Sequence, residues 1–391
     1  MYLAILDRIM DRLLSGVTLD KRKILVIFGT RPEVIKLAPV IMELRRSPQY
    51  FVCRVCATAQ QREMLDQALA VFGIKPDYDL NIMTSDQSLA QVTARAVEGL
   101  ESVIVQEQPD LVLVQGDTTT AFCGALAGYY HRIPVGHIEA GLRTGDKYAP
   151  FPEEINRRLV GQIADWHFAP TEYARQALLR EGVPESSVFV TGNTVIDALL
   201  WVRERVRTVP PKLPDGLSES LEGHQVILVT GHRRESFGQG FENICQAIRE
   251  VADAFPNVVF VYPVHLNPNV REPVNHILGG HPRVHLIEPL SYAPFVWLMD
   301  RATVVLTDSG GVQEEAPSLG KPVLVMREIT ERPEGVTAGN ARMVGVRREQ
   351  IVRELTQLLC DPGQRAMMAA VRNPYGDGCA SERIISVLRS V

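Results

Sequence analysis

Short apolar runs alternate with longer amphipathic stretches along the chain. In the first half, the apolar runs predict buried strands at 23–28, 51–57, 111–115, 133–138 and 166–169. Amphipathic stretches between or after them predict helices up to Arg46 and near 61–72, 87–107 and 153–163. Because strands and helices alternate regularly, a mostly parallel sheet with right-handed crossovers is expected.

The alternation of strands and helices is interrupted near the middle of the chain and then continues. A helix at 194–207 meets a Pro-rich stretch at 209–216, which predicts a linker or long surface loop. Further strands are predicted at 226–230, 258–262, 284–287, 303–307 and 323–326, and a last helix at 381–390. With 391 residues, the chain is expected to form two doubly wound, Rossmann-like α/β domains that face a cleft, at 1–192 and 193–372, followed by a closing segment at 373–391.

Residues 1–20 repeat apolar side chains at helical spacing, with charged residues between them. We expect a short amphipathic helix packed on the body, or a frayed extension, with attachment to a membrane surface as the minor alternative. No run approaches 18 apolar residues, so no membrane span is expected.

The composition of the chain argues against nucleic-acid, metal and redox partners. The net charge is −5 without a long basic block, which argues against nucleic acid as the main partner. Of six cysteines, Cys53 and Cys56 share a predicted strand, where residues three apart point to opposite faces. They are therefore expected to be structural thiols in a reducing cytoplasm and not a metal or redox pair.

Polar residues follow several predicted strands directly. Ligands of doubly wound sheets bind outside the carboxyl ends of the strands, where the loops beginning at Gly29, Gly116, Glu139, Gly231 and Ser309 would lie. The first of these turns departs from G-x-G-x-x-G, which disfavours a nicotinamide dinucleotide. The strand predicted at 303–307 leads into the segment 308–315, which predicts a glycine turn and a helix N-terminus. This is either a phosphate site or an ordinary βα turn.

Each candidate side chain also has an ordinary structural explanation. Arg31 could meet a phosphate or be a surface arginine, and Asp117 could simply cap the next helix. Glu139 follows an apolar strand, which predicts partial desolvation and a raised pKa, unless it caps a helix or pairs with Arg143.

The remaining candidates are a glutamate pair and two histidines. Glu153 and Glu154 precede Arg157 and Arg158, so two i,i+4 ion pairs would explain both glutamates. His232 stands just past a strand beside two arginines, which would hold it neutral or create an anion site. His265 has a similar place and a weaker case.

Together these motifs, in this order, resemble the bacterial non-hydrolysing UDP-N-acetylglucosamine 2-epimerases. The resemblance covers about residues 22–390. The matching strings are Gly29-Thr-Arg-Pro-Glu-Val-Ile-Lys36, Gly116-Asp-Thr-Thr-Thr120, His137-Ile-Glu-Ala-Gly-Leu-Arg-Thr-Gly145, Phe151-Pro-Glu-Glu-Ile-Asn-Arg157, Gly231-His-Arg-Arg-Glu-Ser-Phe-Gly238, Val264-His-Leu-Asn-Pro268, Asp308-Ser-Gly-Gly-Val-Gln-Glu-Glu-Ala316 and Glu331-Arg-Pro-Glu334.

The resemblance implies a GT-B fold, with an active site between the domains and the last helix crossing back to the first. It also implies a homodimer that interconverts UDP-N-acetylglucosamine and UDP-N-acetylmannosamine for surface polysaccharide synthesis, without metal or nicotinamide. The catalytic groups it implies are Asp117, Glu139, Glu153 and His232. The substrate-binding groups it implies are Arg31, Lys36, His265, Phe295, Ser309, Gly310, Gly311, Glu315 and Arg332. A possible activator site falls on Gln60-Gln61-Arg62, where Gln61 replaces the family's histidine.

The residues favour elimination of UDP through a glycal, since a diphosphate cradle is expected and the dinucleotide fingerprint is missing. Three alternatives remain open at this point. They are a hydrolysing epimerase that releases free N-acetylmannosamine, a GT-B glycosyltransferase, and an inactive sugar-nucleotide sensor.

Overall fold

The computed structural model describes residues 21–59, 62–84 and 86–391. The amphipathic stretch at 1–20 and the candidates Gln60 and Gln61 lie outside these residues. Within them, no helix is long and apolar enough to cross a membrane.

The first half of the chain forms a parallel sheet, with seven strands in the described residues, in the order β3-β2-β1-β4-β5-β6-β7. The strands are β1 (Arg22–Phe28), β2 (Phe51–Ala57), β3 (Tyr78–Asp79), β4 (Leu111–Gln115), β5 (Val135–Ile138), β6 (Trp166–Ala169) and β7 (Val188–Val190). The helices that accompany it are α1 (Arg31–Arg46), α2 (Arg62–Phe72), α3 (Leu89–Glu107), α4 (Thr119–Tyr130), α5 (Glu153–Ile163), α6 (Glu172–Arg180) and α7 (Thr194–Thr208).

The second half repeats the plan as a parallel sheet in the order β10-β9-β8-β11-β12-β13. Its strands are β8 (Gln225–Thr230), β9 (Val258–Pro263), β10 (Val284–Ile287), β11 (Val304–Thr307), β12 (Val323–Val325) and β13 (Ala341–Met343). The helices of this half are α8 (Leu217–Ser220), α9 (Gln239–Ala254), α10 (Pro268–Leu278), α11 (Tyr292–Arg301), α12 (Gly310–Glu315), α13 (Pro333–Ala338), α14 (Arg348–Cys360), α15 (Pro362–Ala369) and α16 (Ala380–Ser390).

The two doubly wound sheets confirm the predicted fold class. Central strands such as β1 and β4 are buried along nearly their whole length, because helices cover both faces of a parallel sheet. One apolar cluster continues from the first sheet through α7 and α11 into the second. The predicted thiols lie on opposite faces, since Cys53 packs against this cluster and Cys56 belongs to another; both are free.

The last helix returns to the first half of the molecule. Asp197 of α7 accepts hydrogen bonds from the backbone N–H groups of Ala380 (3.2 Å) and Ser381 (2.8 Å) at the start of α16. At the other end, Arg22 of β1 donates to the carbonyl of Leu388 at 3.0 Å. The end of the chain is therefore attached to the first half of the molecule.

Candidate active site

The candidate loops lie at the switch point of each sheet, where the strand order reverses. In the first sheet, β1 and β4 are neighbours and lead into Gly29–Arg31 and Gly116–Asp117. In the second sheet, β8 and β11 are neighbours and lead into Gly231–His232 and Asp308–Ser309. A doubly wound sheet binds its ligands at this crevice, so each half supplies part of one candidate site.

Glu33 fixes the loop that follows β1. Its carboxylate accepts hydrogen bonds from the backbone N–H groups of Gly29 (3.1 Å) and Thr30 (2.8 Å), and from Oγ1 of Thr118 (2.7 Å) in the loop after β4. Complete burial raises the pKa of Glu33 to about 7, although these hydrogen bonds act in the opposite direction. The loops that carry Arg31 and Asp117 are thereby tied together.

Glu139 has a left-handed backbone, with φ of 63°, which is uncommon for a residue with a side chain. Its Oε1 accepts from Nζ of Lys36 at 2.6 Å and Nδ2 of Asn193 at 2.9 Å. Its Oε2 accepts from Lys36 at 2.7 Å and from Nε2 of Gln115. The carboxylate is therefore held by four hydrogen bonds.

The predicted raised pKa of Glu139 is wrong. Burial alone would raise its pKa, but the charge and hydrogen bonds of Lys36, with Arg332 behind it, bring the pKa below the ordinary value. The expected alternative of a Glu139–Arg143 ion pair is also wrong, because Arg143 pairs with Glu181 at 2.7 Å.

A buried charge array continues from Glu139 into the second half of the molecule. Asn193 also donates to Oε2 of Glu314 at 3.0 Å, and Glu314 pairs with Arg332. Burial raises the pKa of Glu314, while Arg332 and Lys36 oppose that shift. The array runs Lys36–Glu139–Asn193–Glu314–Arg332, with two cations, two carboxylates and one amide at its centre.

Sequence reasoning missed Asn193 and Glu314 as site residues. In the sequence, Asn193 only precedes the helix predicted at 194–207, and Glu314 was one residue of a helix start. The available signal was the resemblance, since its strings include Glu314; nothing in the sequence alone marks Asn193.

Asp117 and Glu153 differ in whether they form an ion pair. Asp117 pairs with Arg157 of α5, and Thr118 is the residue that caps α4, so the predicted capping role of Asp117 is wrong. The predicted Glu153–Arg157 ion pair is also wrong. The predicted Glu154–Arg158 pair is confirmed at 2.9 Å. Glu154 also pairs with Arg157 at 3.5 Å, which leaves Glu153 without an ion pair to any described residue.

His232 is held beside Asp308. The backbone N–H groups of His232 and Arg233 donate to Oδ2 of Asp308 at 2.7 and 2.8 Å, and the imidazole Nδ1 lies 3.3 Å from Oδ1. Burial lowers the pKa of His232, and the charge of Arg233 lowers it further, whereas the charge of Asp308 raises it. The lowered pKa agrees with the predicted neutral ring. His265 stacks on it, with ring centroids 5.6 Å apart.

The glycine turn after β11 faces two guanidinium groups. A methyl group on Gly310 would lie 3.8 Å from Cζ of Arg332 and 3.9 Å from Nη2 of Arg233. Ser309 is the N-cap of α12, and its backbone N–H donates to Oγ1 of Thr307 at 2.9 Å. Gly311, two residues later, is exposed. This turn and its arginines form a cationic surface suited to a phosphate.

Glu315 is buried one turn into the same segment. Tyr292 donates its hydroxyl to Oε1 of Glu315 at 2.6 Å, and burial raises the pKa of Glu315 to about 7 despite that hydrogen bond. Burial also lowers the pKa of Arg31, while the charge of Glu315 acts in the opposite direction. Arg31 of the first half thus approaches the second half, where Phe295 is half-buried on the same helix as Tyr292.

Of the possible activator residues, only Arg62 is described. It pairs with Asp66 at 3.0 Å and with Asp79. Among the described residues, no group of three or more His, Cys, Asp or Glu side chains could hold a metal ion.

Comparison with known proteins agrees with this arrangement. The family model described as UDP-N-acetylglucosamine 2-epimerase matches residues 42–389. The UDP-N-acetylglucosamine 2-epimerase of Salmonella typhimurium is 58% identical over 371 residues, which are 94% of this chain and 98% of that protein. The Escherichia coli K12 protein of the same name is 57% identical over 372 residues, with the same coverage of 94% and 98%.

Solved structures show the same fold. The Neisseria meningitidis UDP-GlcNAc 2-epimerase bound to UDP-GlcNAc superposes with a TM-score of 0.85 at 50% identity, over 94% of this chain and 100% of that one. The Methanocaldococcus jannaschii enzyme in complex with UDP-GlcNAc and UDP gives a TM-score of 0.76 at 33% identity, over 94% and 100%. The two parallel-sheet domains are of the GT-B type, and the chain belongs to the UDP-N-acetylglucosamine 2-epimerase family.

Proposed function

We propose that this chain catalyses the reversible epimerisation at C2 of UDP-N-acetylglucosamine to UDP-N-acetylmannosamine. The observation that carries the proposal is the buried charge array, which connects a carboxylate suited to proton transfer with the arginine beside the Gly310 turn. Family membership supplies the substrate, since relatives of this name are solved with UDP-GlcNAc and with UDP.

The glycine turn and its cations hold the leaving group in this proposal. The Ser309–Gly311 backbone, Arg31 and Arg332 would bind the diphosphate, where preorganised charge stabilises UDP as it departs. Glu315 would accept from the ribose hydroxyls, with Phe295 near the base.

The chemistry we propose is elimination and re-addition. The C2 proton of the sugar is not adjacent to a carbonyl, so its removal has to be coupled to loss of UDP, which gives a glycal. One carboxylate among Asp117, Glu139 and Glu153 removes this proton, and a second returns a proton from the opposite face before UDP re-adds.

Glu139 is ionised at neutral pH because of Lys36, as a proton acceptor must be. Its four hydrogen bonds occupy both oxygens, so Lys36 has to move toward the substrate before Glu139 accepts a proton. His232 is neutral before substrate binds, and the negative diphosphate beside it would raise its pKa and favour a protonated ring. His265 supports this ring by stacking.

One experiment tests the function directly. The protein is incubated with UDP-N-acetylglucosamine in D₂O and the products are followed by NMR. We expect deuterium at C2 of both epimers with the UDP bond intact. Free N-acetylmannosamine as the main product would point to the hydrolysing reaction, and no exchange at C2 would contradict both reactions. Sugar transfer that requires an added acceptor would indicate a glycosyltransferase.

We further propose the domain division 1–192, 193–372 and 373–391. The two sheets lie within the first two parts, and α16 in the third packs on α1 of the first part and on α7 at the start of the second. Limited proteolysis that cut first inside 111–190, and not near 209–216, would contradict this division.

A homodimer is proposed from the family, and the first half carries exposed aromatic side chains. Tyr129, Tyr130 and Phe151 are 61%, 65% and 62% exposed on α4 and the loop before α5. Aromatic side chains are enriched at such interfaces. Sedimentation velocity that found only the monomer mass at micromolar concentration would contradict the dimer.

We also propose a cellular location and an activation by substrate. A cytoplasmic location agrees with six free cysteines, since disulfides are rare in reducing compartments, and cell fractionation would test it. Activation by a second substrate molecule near Gln60, Gln61 and Arg62 would give a sigmoidal velocity curve, whereas a hyperbolic curve would reject it.

A further inference from the structure

Asn193 occupies the centre of the buried charge array and the start of α7. The residue is 2% exposed. Its Nδ2 donates to Oε1 of Glu139 at 2.9 Å and to Oε2 of Glu314 at 3.0 Å. Glu139 belongs to the loop after β5 of the first sheet, and Glu314 to the segment after β11 of the second. One amide group therefore joins a carboxylate from each half of the molecule.

The orientation of this amide is fixed by its surroundings. Both acceptors at Nδ2 are carboxylates, which can only be met by a donor. Oδ1 faces the backbone N–H of Val195 and accepts from it at 3.1 Å, as the N-cap of α7. The backbone N–H of Asn193 donates to the carbonyl of Tyr375 at 2.7 Å, which anchors the residue to the crossing segment. Every polar atom of the side chain is thus used.

The two carboxylates have different roles in the proposed reaction, one in proton transfer and one in diphosphate binding. Glu139 with Lys36 lies on the side of proton transfer. Glu314 holds Arg332, which lies beside the Gly310 turn on the side of the diphosphate. A neutral donor of two protons at residue 193 lets both carboxylates approach the same point; an apolar side chain there would remove one donor from each carboxylate, and an anionic one would repel both.

We propose that Asn193 is a positioning residue that sets the orientation and ionisation of Glu139 and couples them to the diphosphate-binding pair Glu314–Arg332. This role deepens the proposed epimerase function and rests on it. Asn193 acts through Glu139 and Glu314 and does not itself transfer a proton.

Two substitutions separate this role from helix capping. Asn193→Ser and Asn193→Asp both keep a good N-cap, but neither supplies two protons to the carboxylates. We expect Asn193→Ser to lower kcat about 10-fold or more, with KM changed less than about threefold, because transition-state placement is lost and binding is kept. Asn193→Asp should lower kcat further and move the acid limb of the kcat–pH profile to higher pH, since an added negative charge raises the pKa of Glu139.

A distant cap gives the matched control. Asp361 caps α15 and accepts from the backbone N–H of Gln364 at 2.9 Å, so Asp361→Asn makes the reverse exchange away from the site. It should leave kcat and the pH profile unchanged. If Asn193→Ser and Asn193→Asp also kept the wild-type kcat and pH profile, Asn193 would be a helix cap only and the proposal would be overturned.

A second measurement needs no substrate. In Asn193→Asp the new carboxyl lies between two carboxylates, so its pKa in the folded protein is raised above the unfolded value. Stability is then greatest below the unfolded pKa and falls as pH rises through the folded one. The Tm of Asn193→Asp should therefore fall relative to that of Asn193→Ser between pH 5 and 8. Parallel Tm curves would overturn the bridge, whereas an unmodified protein that failed to epimerise would contradict only the proposed function.

Discussion

At the scale of single residues, Glu139 combines a strained backbone with a carboxylate whose two oxygens both accept two hydrogen bonds. Its φ of 63° costs about 1–3 kcal/mol in general for a residue other than glycine. Hydrogen bonds to the side chain offset this cost, since Lys36, Gln115 and Asn193 donate to its two carboxylate oxygens. The left-handed backbone places Glu139 directly after β5, where the side chain can reach the boundary between the halves.

Replacing Glu139 by Gln should separate its charge from its shape. The variant leaves the Lys36 ammonium buried without its acid, which should lower the unfolding free energy by about 3–5 kcal/mol. The double variant Lys36→Met/Glu139→Gln removes both charges and should regain most of that stability. Turnover should fall about 100-fold or more in both variants, because the proton acceptor is missing. Urea unfolding and the D₂O exchange assay measure the two effects.

An exposed ion pair provides the comparison. Asp300→Asn breaks the Arg207–Asp300 pair (2.7 Å), and should cost under about 1 kcal/mol because water screens the two charges. A folded Glu139→Gln variant with near wild-type turnover would refute the role of Glu139.

The glutamates of α5 illustrate what the sequence can predict at this scale. Spacing alone allowed ion pairs for both Glu153 and Glu154. The helix buries Glu154, whose carboxylate also receives the backbone N–H groups of Thr144 (3.1 Å) and Gly145 (3.3 Å), and Arg157 turns to Asp117. Which carboxylate pairs depends on how α5 packs, and a local i,i+4 rule contains no information about that packing.

At the scale of elements, the turn between β1 and α1 is limited by close packing. A methyl group on Gly29 would lie 2.3 Å from the hydroxyl oxygens of Thr58 and Thr120, which hydrogen-bond to each other at 2.8 Å. A larger residue at this point would require the side chains of Thr58 and Thr120 to shift.

Gly29→Ala should therefore destabilise the fold by about 1–3 kcal/mol through overpacking. It should also weaken UDP binding, because the same turn carries Arg31. Thermal unfolding and calorimetric titration with UDP check the two effects. Gly240→Ala in α9 is the matched substitution, since its methyl group would have no neighbour nearer than 3.6 Å, and it should be neutral or slightly stabilising. Equal stabilities for the two variants would contradict the packing argument.

Most elements could be predicted because buried parallel strands have continuous apolar runs. The strand predicted at 133–138 is shorter in the structure, at Val135–Ile138, and the helix predicted at 87–107 begins at Leu89. The strands β3 and β13, at the edges of their sheets, have two and three residues and were not predicted, because so short a segment has no period to detect.

At the scale of the whole molecule, α16 connects the end of the chain to the first half. Asp197 provides three acceptor contacts at its start, including one from Oγ of Ser381 at 2.6 Å, so α7 caps α16 from outside. Ile384, Ile385 and Leu388 are buried in the cluster shared by the two halves. The sequence predicted this helix, and the resemblance implied its crossing. Its partner Asp197 lies about 180 residues earlier and could not be read from a local pattern.

Asp197→Ala should loosen this attachment. We expect a loss of about 1–2 kcal/mol, the usual effect of removing a helix cap, with faster hydrogen–deuterium exchange at the start of α16. Asp361→Ala removes an ordinary cap within α15 and should speed exchange there, without effect on α16. Unchanged exchange in α16 of Asp197→Ala would contradict the role of Asp197.

The Asn193 bridge also bears on how much intermediate the enzyme loses. Any separation of the two sheets has to break a contact of Asn193 with Glu139 or Glu314, and takes one hydrogen-bond donor from a desolvated carboxylate. In the proposed reaction, the glycal and UDP remain between these sheets until UDP re-adds. Free glycal and UDP released per completed epimerisation would then report how often the two sheets separate before UDP re-adds.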